Sequence, residues 1–425
     1  MTQATPCVLS REGGVDLLCC VGQPIPKGRD MNPNSLPFAR SRVAIVAFAV
    51  LVVLWAPMGA VAAQTIQVGV KRAVQTIAEA ARLAKDGDTV EVDAGSYHGD
   101  VAVWGQRNLR VRAVGGRARL LANGAAAEGK AIWVVRGGQI TVEGFDFEGA
   151  RVPNRNGAGI RFEEGQLVVK SCSFMHNEMG LLTSNNTKAG LVIENSEFAH
   201  NGRPDGHNHN LYVGSIASLS VTGSYFHHGA TGHLLKSRAS QNRIMYNRLT
   251  DEADGHASYE LEFPNGGVAY VVGNIIGQSQ QTENSALISF GAEGYKWPAN
   301  ELYLVNNTLI DGKLLGGQFL RVRPGADVVR GINNLLVGSS SLEAADFGEF
   351  INNFNVQMTE FESETIQDLR LKASSKVRKK AIDPGQANGQ DLKPTSEYVH
   401  KTRTSALGSA AIHPGAIQRV GQKSP

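Results

Sequence analysis

The chain has 425 residues and a formal net charge of +3, with 48 glycines and 7% aromatic residues. That length allows one large domain or two ordinary ones, and the glycine-rich, aromatic-poor mix suits many tight turns with small side chains packed in layers. A charge this small, with no stripe dense in Lys or Arg, argues against a nucleic-acid partner; the densest basic run, Lys376–Lys380, reads as a solvated loop.

In chain order, the first feature is an export signal that does not begin at residue 1. Val43–Trp55 is an unbroken apolar run of 13 residues, preceded by Arg40 and Arg42 and followed by Ala60-Val61-Ala62-Ala63. A basic flank, a short apolar core and a small-residue cleavage site make a secretory signal, and the core is too short to span a bilayer. Met31 is a natural start for it. Residues 31–63 are therefore expected to be the signal peptide, and residues 1–30 an upstream extension from a misassigned start or a long lead of the same signal. Cleavage near Ala62 or Ala63 leaves Cys172 as the one cysteine, which cannot form an internal disulfide. The mature protein is expected in the periplasm or the medium, with no membrane contact after cleavage.

Thr76–Lys85 reads as an amphipathic helix, with Thr76 and Glu79 spaced as a capping box. Asp86-Gly87-Asp88 stops it and a strand follows. Next comes a repeat. Ile140–Phe147, Leu167–Phe174, Leu191–Phe198 and Leu219–Phe226 share one pattern of apolar and small residues, with fainter copies ending at Leu249, Ile276, Leu309 and Leu336. The intervals between end residues are 27, 24, 28, 23, 27, 33 and 27. Each unit alternates with period 2 and is bounded by Gly, Asn and polar turns, so the units are strands. Strands this short bury a core only by stacking coil upon coil. The sixth position of each unit reads Phe145, Cys172, Ser196, Ser224, Asn247, Asn274, Asn307 and Asn334. Stacked coils would place these in one inward column, where Asn side chains can satisfy buried backbone groups and Cys172 serves as a small filler.

These features resemble the pectate-lyase-like right-handed parallel β-helix superfamily: the column resembles its asparagine ladder, and helix, "DGDTV" and "AGSYHGD" (Ala94–Asp100) resemble the amino-terminal cap of its secreted enzymes. The resemblance implies an all-β solenoid over residues 65–338 with a capping helix, followed by a looser region, 339–425, packing on the solenoid or trailing from it. It implies a polysaccharide partner and a monomer. It names no single activity, because the fold hosts lyases, hydrolases, esterases, epimerases and binders.

Chemistry is expected where polar residues cluster on adjacent coils, and Asp205–Glu262 is the densest such stretch. Aligning Leu211, Leu234 and Leu261 as inward neighbours puts Asn210, His233 and Glu260 in one outward column and Tyr212, Leu235 and Glu262 in the next, with Lys236 and Arg238 beyond. So many titratable groups on one face mark a candidate site; the alternative is a structural network pairing Glu260 and Glu262 with Lys236 and Arg238. One reading is a lyase cleaving an acidic polysaccharide by β-elimination. Lys236 or His209 would be the base, Arg238 with His233 and Asn210 would neutralise the uronate, and Tyr259 or Tyr212 would be the acid; Asn208, Asn210 and Tyr212 would bind substrate. The superfamily's lyases often use Lys or Arg in such roles, frequently with calcium, so calcium stays open as a cofactor and no other is implied. Asp251, Glu252 and Asp254 could hold calcium, though their spacing matches no loop motif. A second reading is an inverting glycosidase using Glu260 and Glu262, about 6.6 Å apart along a strand. A third is a non-catalytic glycan-binding or assembly solenoid. His207 with His209 is a weak metal pair, His227-His228 a solvated turn, and Trp104, Trp133 and Trp297 packing residues.

Overall fold

The computed structural model describes residues 63–203, 208–342, 348–363, 365–366 and 368–420. Residues 1–62, which hold the expected leader but for its last residue, and His207 lie outside the described residues. The described chain winds as an all-β parallel solenoid, as the repeat implies. Each coil lays one strand in each of three sheets. Along the first run Gln139–Glu143, Gln166–Lys170, Gly190–Glu194 and Ser218–Thr222; along the second, Phe145–Glu148, Ser173–Met175, Glu197–Ala199 and Tyr225–His227. Thr89–His98 and Asn108–Leu121 pass through both, joining them into a 21-stranded sheet. The third sheet has 10 strands, from Ala102–Trp104 to Ser341–Leu342.

The short corner between the first two sheets explains the sixth-position column. The residue just before the column is left-handed in coil after coil: Ser171, Asn195, Tyr246, Asn306 and Asn333 have φ of 50, 51, 55, 52 and 58°, and Gly223 and Gly273 have 63 and 65°. One left-handed residue turns the chain and aims the next side chain inward. Each inward acceptor then takes the backbone N–H of its counterpart one coil earlier. Cys172 N donates to Ser196 Oγ at 3.1 Å, Ser224 N to Asn247 Oδ1 at 2.9 Å, Asn247 N to Asn274 Oδ1 at 2.9 Å and Asn307 N to Asn334 Oδ1 at 2.8 Å. Asn353 extends the ladder, accepting from Asn334 N at 2.9 Å. Burial pushes the Cys172 thiol up to about 12, which suits a filler rather than a nucleophile. Two positions on, Phe147, Phe174, Phe198 and Phe226 stack at centroid separations of 4.9, 4.6 and 4.7 Å. Repeating one aromatic per coil over these four coils fills that stretch of the axis with dispersion contacts.

The helix is Ile77–Leu83, with Thr76 Oγ1 accepting from Glu79 N at 3.2 Å. Its first turn is also held by Asp100, whose carboxylate accepts from the N–H groups of Ile77 and Ala78 at 2.6 and 2.9 Å. Ile77, Ala80 and Ala81 are buried in the same core as the coils.

Solenoid strands continue to Phe354–Val356, after which the chain folds back over the outside. Phe361, Leu369, Leu371 and Tyr398 pack on Ile275, Leu335 and Val337 of the second sheet, and Ala387 and Leu392 on Tyr246, Tyr270 and Tyr303. Among the described residues these apolar contacts fall on the first and second sheets and not on the third.

Candidate functional site

The third sheet does not alternate simply. Its register aligns Leu211 with Leu235 and Leu261, and Tyr212 with Lys236 and Glu262. The position before the leucines holds Gly159, Gly180, Asn210, Leu234, Glu260 and Leu287, and this column faces inward. Leu234 and Leu287 belong to the main core, and a Cβ added to Gly159 would meet Phe174 at 2.7 Å. Two consecutive residues of each strand thus face the interior, and outward positions are spaced by three. His209, His233 and Tyr259 form one outer column; Tyr212, Lys236 and Glu262 form the next.

This corrects the expected alignment in three ways. The coil of Lys236 shifts by one, because Leu235 rather than Leu234 pairs with Leu211. Asn210 is not on the outer face: it is 1% exposed, accepts from Asn201 Nδ2 at 2.9 Å and donates to the carbonyls of Phe198 and His227 at 3.2 and 2.9 Å. It belongs to a second ladder with Asn177 and Asn201. Glu260 is also interior, fully buried, with Thr282 donating to Oε1 at 3.3 Å. Burial, together with Asp251 nearby, raises its pKa well above the ordinary carboxyl range. Glu260 and Glu262 therefore face opposite sides of the sheet, and the pairing a glycosidase would need is absent.

The remaining residues converge. His233 Nε2 and Lys236 Nζ each lie 2.9 Å from Glu262 Oε2. Lys236 Nζ is also 3.1 Å from Glu293 Oε1, and Arg238 grips both Glu293 oxygens at 2.7 and 2.6 Å. Arg238 also donates to Tyr212 Oη at 2.7 Å. Tyr212 stacks on His209, the His209 and His233 rings are 4.5 Å apart, and Tyr259 meets His233 edge-on at 5.1 Å. His209 Nδ1 accepts the His233 backbone N–H at 2.9 Å, which leaves the proton of the neutral ring on Nε2. Burial lowers the pKa of His233, opposed by Glu262. Burial raises the Glu262 carboxyl, but His233 and Lys236 outweigh it and the net shift is downward. Asn208 sits at the edge, buried, donating to the Arg155 carbonyl at 2.8 Å.

Glu293 was not anticipated. It lies in the loop after Ala286–Phe290, outside the repeat, where no periodic signal could mark it. Of the aromatic residues, Trp104 and Trp133 are fully buried in the core, while Trp297 is half-buried and donates to the Arg238 carbonyl at 3.1 Å. The acidic run considered for calcium does not converge. Asp251 turns inward to the N–H groups of Gly229 and Ala257, Glu252 pairs with Arg248 at 2.9 Å, and Asp254 with His228 at 3.0 Å.

Solved structures share this fold. The crystal structure of pectate lyase Pel9A superposes with a TM-score of 0.58 at 13% sequence identity, covering 84% of this chain and 96% of that one. Geobacillus virus E2 ORF18 aligns at 11% identity over 64% of this chain and 53% of its own, with a TM-score of 0.41. No protein-family model and no curated protein matches the chain. The likeness to the pectate lyase is one of fold: the described chain is a parallel β-helix.

Proposed function

We propose that the outer face of the third sheet binds a uronate-containing polysaccharide and cleaves it by β-elimination. One observation carries this reading. Lys236 and Arg238 together hold a single carboxylate, that of Glu293, on the outer face of the third sheet. A uronate carboxylate offers the same two oxygens to the same donors, and its negative charge must be offset before the adjacent C–H becomes acidic. The neutral His233 ring gives its Nε2–H to Glu262 and accepts the C5 proton on Nδ1, which is buried in the free protein and must be uncovered as the sugar binds. Electrons of that C–H bond form the C4=C5 double bond, the C4–O bond breaks, and Tyr259 or Tyr212 returns a proton to the leaving oxygen. Lys236 Nζ is held between Glu262 and Glu293 at 2.9 and 3.1 Å and is placed to meet the uronate, so on this reading the base is His233 rather than Lys236 or His209. His209 positions His233, and Asn208 shapes the edge of the face.

The reading includes export to the periplasm or medium, action on an acidic polysaccharide and function as a monomer. The fold shared with a pectate lyase supports a polysaccharide substrate; the run Val43–Trp55 supports export. The test is incubation of purified protein with alginate, pectin, glycosaminoglycans and bacterial exopolysaccharides. A lyase releases unsaturated ends that absorb in the ultraviolet; a hydrolase releases reducing ends without that absorbance, and a binder neither.

A further inference from the structure

At the corner between the second and third sheets, away from the proposed cleavage face, three histidines gather. The ring nitrogens of His200, His227 and His228 available for ligation all lie within 4.8 Å of one another. The ring centroids of His200 and His228 are 4.6 Å apart, and those of His227 and His228 4.7 Å. The turn expected to be solvated is not: His227 is 7% exposed and His228 half-buried, while His200 opens to solvent.

The hydrogen bonds around the cluster are what distinguish it. His227 Nε2 lies 3.0 Å from Glu197 Oε1, and His228 Nε2 lies 3.0 Å from Asp254 Oδ1. An Nε2 facing a carboxylate carries the proton, which leaves each Nδ1 with its lone pair exposed. Those two Nδ1 atoms face each other in hydrogen-bonding contact. Two lone pairs in contact repel unless they share a cation: a proton fits between them as they stand, and a metal about 2.0–2.1 Å from each would draw the two rings slightly apart. A carboxylate on the far nitrogen of each imidazole is the arrangement that fixes the tautomer and raises the basicity of metal-ligating histidines.

We propose that His200, His227 and His228 form a binding site for a borderline divalent cation of the zinc class, with the fourth position open to solvent beside His200. Three imidazoles suit such ions and not calcium, which takes oxygen ligands. Bound there, the metal joins the coil of Glu197 and His200 to the coil of His227 and His228. Through Asp254 it reaches a third coil, and through Glu197, which Lys401 also pairs at 2.6 Å, the returning carboxy-terminal segment. Its effect is therefore structural, and its binding energy adds to the stability of the folded state.

The experiment uses untagged protein stripped with EDTA and titrated calorimetrically with zinc, with calcium in a parallel arm. Expected are one equivalent of bound zinc, no calcium at this site, a higher melting temperature with zinc, and a tetrahedral absorption spectrum with cobalt(II). His200→Asn removes one ligand while keeping a residue that tolerates the left-handed backbone there (φ 54°). It should weaken zinc by at least about tenfold, the loss that removing even a partner of a ligating histidine causes. Failure of the wild-type protein to bind zinc, or equal binding by wild type and His200→Asn, would overturn the proposal. The first result would leave a shared proton between His227 and His228 as the cation. The cobalt spectrum, read on the wild type, does not depend on how the variant folds.

Discussion

Arg238 holds Glu293 through both carboxylate oxygens, at 2.7 and 2.6 Å, and Lys236 shares the same carboxylate at 3.1 Å. On the proposed reading this carboxylate occupies the place of a substrate uronate. Glu293→Gln should therefore lower KM for acidic polysaccharide by freeing both cations. The Glu293 side chain is 41% exposed, so the loss of stability should stay within about 1 kcal/mol. Steady-state kinetics and thermal denaturation measure the two effects; an unchanged or raised KM contradicts this placement.

The pH dependence of turnover reports on His233. Its pKa lies below the ordinary 6.5 because burial disfavours the imidazolium, with Glu262 opposing. The neutral base should therefore persist to lower pH than a free histidine, placing the acid limb of kcat/KM below the ordinary value. Glu262→Gln removes the opposing carboxylate and should move that limb further down, along with reduced turnover. An acid limb at or above the ordinary histidine value excludes His233 as the base.

Inside the solenoid, Glu260 and Asp251 predict how stability changes with pH. Burial pushes Asp251 from 3.8 up to about 7, and raises Glu260 well above its ordinary 4.5. A carboxyl with a raised folded pKa stabilises the fold while protonated. That contribution is full below its unfolded pKa and disappears as pH rises through the folded pKa. The melting temperature should fall as pH climbs from about 4 through about 7 and beyond. Glu260→Gln, neutral and similar in shape, should lessen the fall on the alkaline side. Parallel melting curves for wild type and variant across that range would contradict the assignment.

The ladder offers a graded test. Asn274 Oδ1 accepts from both the backbone N–H and Nδ2 of Asn247, at 2.9 and 3.1 Å. Asn274→Ala orphans a buried amide and opens a small void, so it should destabilise by about 2–4 kcal/mol. Asn274→Ser keeps an acceptor, as Ser196 and Ser224 do elsewhere in the ladder, and should cost less. Urea denaturation ranks the two; equal losses would mean the acceptor contributes little.

The solenoid was legible because one side-chain type recurs at one place in each coil. The Asn column and the stacked Phe residues repeat often enough to survive intervals of uneven length. The site was legible as a cluster and not as a geometry. Strict alternation fails in the third sheet, where Leu234 and Leu235, or Glu260 and Leu261, face inward together. A fixed count of eight residues back from the repeat slipped the Lys236 coil by one, because Leu235 lies only seven residues before Asn242, and strict alternation placed Asn210 and Glu260 outside. The spacing of His209 to Tyr212, His233 to Lys236 and Tyr259 to Glu262, three residues each, was the available signal. Glu293 and the histidine cluster come together only when a loop or a corner closes, which no local pattern encodes.

The most direct test of the central claim is the ultraviolet absorbance of unsaturated ends released from uronate polysaccharides by the wild-type protein and by Lys236→Ala, with circular dichroism of both. The account predicts product from at least one polymer with the wild type and none with the variant, at unchanged secondary structure. Absence of unsaturated product from every uronate polymer offered to the wild type, or undiminished product from the variant, would contradict it.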